Sequence, residues 1–290
     1  MEISAPIMEQ LLTFQRNEVT EHHIYRRLAR TIKSPENAAI LEQIAADELH
    51  HYHGWKHYTG RDVKPDWWKI WKYTFIGRVL GFTFGVKLME RGEESAQANY
   101  GQLAEVIPNI EQFIHDEDAH EEKLIAMLDE ERLRYAGSVV LGLNDALVEL
   151  TGALAGLTLA LQNANLIALS GLITGIAASL SMAASEYLST RSEDTGKHPV
   201  RAAVYTGIAY VITVALLILP YLLFHNYYVD LAISLATAVL IIAAFNYYIS
   251  VARDEPFRKR FAEMAGLSLS VAAFSFGIGY LIRLWLGVEI

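Results

Sequence analysis

Glu18, the pair Glu48-x-x-His51, Glu93 and the pair Glu117-x-x-His120 are the residues whose types and spacing could do chemistry. Two single glutamates alternate with two Glu-x-x-His pairs, and each single glutamate stands seven residues before a tyrosine, Tyr25 or Tyr100. In an α-helix, Glu at i and His at i+3 leave one face, so each pair can share a metal ion. The single glutamates would close the site from two further helices. Carboxylate oxygens with imidazole suit Fe(II) or Mn(II), and bridging carboxylates can keep two such ions together. One Glu-x-x-His is common on solvated helices; all four elements recurring in order are what mark a metal site. Around the second single glutamate, Glu90, Glu93 and Glu94 lie within about one turn of each other. An internal repeat favours Glu93, because Glu18 to Tyr25-Arg-Arg-Leu28-Ala29 matches Glu93 to Tyr100-Gly-Gln-Leu103-Ala104. Glu90 and Glu94 remain supplementary metal ligands. Glu21 and Glu121 read as solvated charge, and His50, His53 and His57 as surface histidines.

Four helices must position these side chains. Apolar residues at helical spacing predict a helix over 7–33, ended by Ser34-Pro35, which also suits the start of the next. The second helix runs to about residue 58 and stops at Thr59-Gly60. A third is predicted over about 79–106, closed by Pro108, and a fourth over 109–131. Short connections make the neighbours antiparallel. Between the two hairpins, residues 67–78 carry Trp67, Trp68 and Trp71 beside Lys69 and Lys72. That composition predicts an amphipathic segment at the headgroup level of a bilayer. Two rival readings are packing within a soluble domain and a sixth span through 67–89. Lys69, Lys72, Arg78 and Lys87 make the sixth span costly, and it would split the metal site.

Charge divides the chain. Residues 1–131 hold 14 Lys and Arg against 23 Asp and Glu, whereas 132–290 hold 10 of each. The net charge of −9 and eight of the ten histidines therefore fall in the first part, a pattern that attracts cations and argues against nucleic acid. No cysteine is present, which excludes disulfides, zinc–thiolate sites and iron–sulfur clusters. The N-terminus has neither a basic n-region nor an apolar h-region, so the first domain is expected to stay where it is made.

Beyond residue 135 five apolar stretches, about 136–160, 166–189, 201–224, 229–252 and 264–286, each approach the ~20 residues that a bilayer core requires. Arg191, Lys197 and Arg201 follow the second stretch, and Arg253, Arg258, Lys259 and Arg260 follow the fourth; the other loops have no Lys or Arg. The positive-inside rule then places the N-terminal domain in the cytoplasm and the C-terminus outside. Within the spans, Asp145 and Glu149 lie one turn apart, as do Met182 and Glu186. Ionisable groups there cost about 2.5–3.5 kcal/mol each, so they call for a reason such as a cation path. Carboxylates with a thioether favour Fe(II) over Mg(II) or Ca(II). The competing reading for Glu186 is a residue at the cytoplasmic end that meets water. For Asp145 and Glu149 it is a structural ion pair, though spans one to four hold no basic partner. Small residues (Gly137, Gly142, Gly152, Gly156, Gly171, Gly175) allow close helix contact within a protomer or across a dimer.

Two resemblances follow. Residues 1–131, with Glu-x6-Tyr and Glu-x2-His each occurring twice, resemble the rubrerythrin and bacterioferritin group of ferritin-like domains. The resemblance implies a di-iron site in a four-helix bundle. Full rubrerythrins also carry a cysteine-ligated iron, which this chain cannot build. Residues 132–290, with Gly142-Leu-Asn-Asp-Ala-Leu-Val148 and Ser181-Met-Ala-Ala-Ser-Glu-Tyr-Leu-Ser189, resemble the vacuolar iron transporter family. This second resemblance implies a five-span, dimeric transporter of Fe(II) or Mn(II) driven by proton exchange. Asp145 and Met182 would line the path and Glu186 would gather metal at its cytoplasmic mouth. The loop after span two is too short for the metal-binding insertion of eukaryotic members. The combination resembles the membrane-bound ferritin type of iron exporter.

The expectation is therefore an all-α protein with a ferritin-like domain over 1–131 and a membrane domain over 132–290. It would sit in the cell membrane as a homodimer, export Fe(II) or Mn(II) against protons, and hold di-iron or manganese in the first domain. A membrane-anchored ferroxidase or peroxide-scavenging di-iron enzyme is the alternative, and a third reading makes the first domain a sensor that gates transport.

Overall fold

A computed structural model describes residues 4–97 and 134–286, apart from Lys33, Asp194, Thr195 and His225. The chain divides into two compact units, Met1–Glu130 and Glu131–Ile290. All regular structure among the described residues is helical.

In the first unit, α1 (Ala5–Ala29) and α2 (Pro35–Thr59) start where the sequence places turn chemistry. The Ser34 side chain caps α2 by accepting from the Asn37 amide at 3.3 Å, and Pro35 occupies the first turn. Gly60 ends α2 in the left-handed region, with φ 64°. The helices run antiparallel: His22 meets Ala45, Glu18 meets Trp55 and Gln15 meets Thr59. Between them Leu11, Leu28, Leu41 and Ile44 are fully buried, each worth roughly 1.5–3 kcal/mol.

The helix expected from about residue 79 starts close to there, and the amphipathic segment before it is a helix of its own. Residues 67–80 make a separate helix, α3 (Trp67–Leu80), capped by Asp66, and α4 (Phe82–Gln97) follows. The break falls at Gly81, whose φ of 106° no ordinary residue adopts readily. There α4 folds back so closely that a Cβ on Gly85 would stand 2.7 Å from the Gly77 Cα. α3 buries Ile70 and Gly77, the latter against Leu28 of α1, while Trp67, Trp68, Trp71 and Phe75 stay exposed. The predicted fourth helix, 109–131, lies outside the described residues.

The second unit contains, among the described residues, five helices long and apolar enough to span a bilayer. They are α5 (Ala136–Leu161), α6 (Ala164–Ser192), α7 (Pro199–Leu223), α8 (Tyr227–Arg253) and α9 (Phe257–Leu286). The protein is therefore an integral membrane protein. Their outer faces are apolar, with Leu180, Leu240 and Phe274 exposed. α9 starts at Phe257, so Arg258, Lys259 and Arg260 sit in its first turn and not in a loop. Small residues let backbones meet: a Cβ on Gly142 would stand 2.4 Å from the Thr206 carbonyl oxygen of α7. Gly142→Ala is expected to destabilise the unit by roughly 1–3 kcal/mol, seen as a lower Tm of the purified protein, since backbone cannot yield as a side chain can.

The regular hydrogen-bond ladder of α5 is interrupted. A π turn, Ala146–Leu150, separates the α-helical parts Ala136–Asp145 and Thr151–Leu161. The Leu147 carbonyl at this turn accepts a hydrogen bond from Ser268 Oγ of α9 at 2.6 Å. Such turns recur at functional sites because they re-aim side chains in mid-helix.

Candidate metal sites

Glu18 on α1 and Glu48 and His51 on α2 present ligand atoms that all lie within 4.8 Å of one another. His51 Nδ1 stands 3.5 Å from Glu18 Oε2 and 3.5 Å from Glu48 Oε2. All three side chains are buried, Glu48 with 1 % exposure. The antiparallel pairing creates this meeting, and the i, i+3 spacing on α2 puts Glu48 and His51 on the face turned to α1. Trp55, one turn beyond His51, donates from Nε1 to Glu18 Oε1 at 2.8 Å and fixes that carboxylate. Glu18 Oε2, by contrast, faces the His51 ring.

Burial pushes the Glu18 carboxyl from its ordinary 4.5 up to about 8; hydrogen bonding to His51 opposes this and the Glu48 charge adds to it. Two carboxylates stripped of water and facing each other are the kind of pair that a cation relieves, so the donor set fits a metal ion. An acid whose folded pKa is raised holds more protons folded than unfolded. Its contribution is present in full below pH 4.5 and is lost as pH rises towards about 8. The metal-free protein should therefore lose thermal stability across that window, and Glu18→Gln should flatten the loss. Melting curves in chelator across the range test this; a wild-type Tm that does not fall contradicts it.

Of the other expected ligands, Glu90, Glu93 and Glu94 fall on or beside α4 at positions whose side chains are outside the description, and Glu117 and His120 lie outside the described residues. Glu21, expected in solvent, is buried at 7 % exposure, because it faces inward on the turn after Glu18. His50, His53 and His57 are exposed, as expected of surface histidines.

In the membrane unit Asp145 closes the first α-helical part of α5 and Glu149 lies within the π turn. Tyr210 of α7, itself fully buried, donates its hydroxyl to Glu149 Oε2 at 3.3 Å and also interacts with Asp145. Asp145 is half-buried and Glu149 exposed on the single chain. Glu186 on α6 is buried, and Ser138 Oγ donates to its Oε1 at 2.5 Å. It is thus held between α5 and α6 and not left open to water. Met182, one turn before Glu186, packs against the core of the spans.

The segment that carries all four of these residues can be compared with known families. Residues 136–196 match the VIT family. No curated protein matches the chain. The VIT segment covers α5 and α6 and contains both motifs, at 142–148 and 181–189.

Sequence reasoning missed three polar groups around the VIT segment. Tyr210 and Ser138 escape a search confined to acids and thioethers, although a tyrosine inside a long apolar run is itself a signal. Asp230, at the edge of the fourth predicted span, is fully buried in the first turn of α8, beside Tyr221, whose hydroxyl is 2.8 Å from Thr158 Oγ1. Its signal is Asn226, which caps α8 and draws Asp230 into the helix, where the positive end favours a carboxylate.

Proposed function

We propose that this protein is a membrane transporter that exports Fe(II) or Mn(II) from the cytoplasm, taking the metal offered by its own N-terminal domain, in exchange for protons. The observation that carries this reading is the Asp145–Glu149–Tyr210 group at a π turn inside a VIT-matching span. Carboxylates in a bilayer replace the water that a divalent ion sheds on entry, and the same groups can take up protons on the return. Glu186, anchored by Ser138, gathers metal at the cytoplasmic end of the path, and Met182 adds a soft donor beyond it.

The N-terminal domain is ferritin-like and lies in the cytoplasm, with the C-terminus outside, as loop charge indicates. Glu18, Glu48 and His51 would hold one ion, and Glu93, Glu117 and His120 would complete a two-metal site. A metal pair held there would supply capture and oxidation of iron. The chain works as a homodimer: Glu149 is exposed on the protomer, and a carboxylate facing lipid costs about 2.5–3.5 kcal/mol. A second copy covering it removes that cost.

The buried Glu18, Glu48 and His51 favour one other reading, a di-iron ferroxidase or peroxide-scavenging enzyme whose spans only anchor it. Proteoliposomes separate the two. Transport predicts Fe(II) or Mn(II) flux that an imposed pH gradient accelerates in one direction, together with counterflow of protons. An anchored enzyme predicts iron oxidation with no flux above that of empty liposomes.

A further inference from the structure

α1 and α3 end side by side, and both ends are basic. Arg27 lies in the last turn of α1, Arg30 is its C-cap residue and Arg78 lies in the last turn of α3. Together with Thr31, Trp71, Thr74 and Phe75 they line a cleft of about 390 Å³. No carboxylate among the described residues pairs with Arg27, Arg30 or Arg78, in a domain whose composition is strongly acidic. Arg27 is braced by its guanidinium carbon 5.7 Å from the centroid of the Trp67 ring. Thr74 adds a buried hydroxyl, Oγ1, that has no hydrogen-bond partner.

The ends of two helices account for one or two basic residues, which their carbonyls attract. They do not account for three guanidinium groups around one cleft with an orphan hydroxyl in its wall. Three cationic forks and one hydroxyl donor are chemistry for a phosphate. The cleft's other wall says which phosphate. Trp68, Trp71 and Phe75 form a stacked ladder along α3, with ring centroids 5.2 and 5.6 Å apart. Trp71 and Phe75 are each 54 % exposed. Inorganic phosphate gains nothing from that apolar ladder, whereas a phospholipid offers acyl chains to the rings and its phosphate to the arginines.

We infer that the cleft between α1 and α3 is a binding site for the headgroup of an anionic phospholipid. Arg27, Arg30, Arg78 and Thr74 take the phosphate, and Trp71 and Phe75 meet the glycerol and upper acyl chains. The chain's own spans keep such lipids at high local concentration. The inference stands on the first unit alone and does not depend on what the spans carry.

Native mass spectrometry of the full-length protein in detergent, titrated with phosphatidylglycerol or phosphatidylcholine, tests it. Each arginine near a headgroup is worth about a factor of five, so the Arg27→Gln, Arg30→Gln, Arg78→Gln variant should bind its tightest phosphatidylglycerol about a hundredfold more weakly. Arg26→Gln, an exposed neighbour that does not line the cleft, should bind as the wild type does. Thr74→Val should lose about fivefold. Comparison with the triple variant subtracts lipid held around the spans. Equal binding of phosphatidylglycerol by wild type and triple variant overturns the inference, as does equal affinity of the wild type for phosphatidylcholine. Inorganic phosphate that binds the wild type as tightly as phosphatidylglycerol does would overturn the lipid as occupant.

Discussion

Asp145→Ala is expected to reduce Fe(II) uptake into proteoliposomes by about tenfold to a hundredfold while the protein still folds and inserts. A charged ligand interaction is worth about 1.5–3 kcal/mol, which sets that range. The loss should be largest at Asp145 because it is half-buried at the junction of the α-helical and π-turn parts of α5, where Tyr210 also reaches it. Asp145→Asn should keep the shape and still lose most of the transport, since the amide carries no charge to offset the cation. Tyr210→Phe should lose less, as it removes a hydroxyl that orients Glu149 without removing a donor to metal. Initial rates measured with an iron-sensitive dye inside the vesicles check the series. Unaltered rates in Asp145→Ala would remove the proposed path.

Glu48→Ala is the second substitution with a large expected effect. Glu48 is 1 % exposed and shares its site with Glu18 and His51, so its loss should weaken metal binding by the N-terminal unit at least tenfold to a hundredfold. Removing one of two facing carboxylates should also bring the Glu18 carboxyl back towards its ordinary range, because the Glu48 charge helps to raise it. Metal content of the purified protein, with transport measured in parallel, reads out the role. If the domain captures iron for the spans, transport falls most at low iron. A sensor that gates transport would instead shift its iron dependence and leave the maximal rate unchanged. Binding that equals the wild type's would exclude Glu48 as a ligand.

How far the molecule can be read from its residues depends on the kind of signal. The spans are legible because hydropathy is a bulk property of about twenty residues, and no local choice overrides it. The start of α2 is legible because Ser34 and Pro35 act through their own backbone neighbours. The meeting of Glu18 with Glu48 and His51 is anticipated by a repeat whose spacing matches a helix face. Other features come from contacts between distant residues. Nothing in Asp145-Ala-Leu-Val-Glu149 signals a π turn; its Leu147 carbonyl finds Ser268, 121 residues away. Glu21 looks like a surface charge in a helical wheel and is buried because α1 turns that arc inward. The division near Gly81 is anticipated within a few residues, because the clustered tryptophans and lysines of 67–78 set that segment apart from the helix that follows.

Iron-edge anomalous diffraction from crystals of the full-length protein grown with Fe(II) tests most directly whether acidic side chains on separate helices hold divalent metal in both units. The expected result is one set of peaks bounded by Glu18, Glu48 and His51 and another beside Asp145. Peaks at neither place, with the Glu18 and Glu48 carboxyl groups turned away from each other in the iron-loaded crystal, would contradict it.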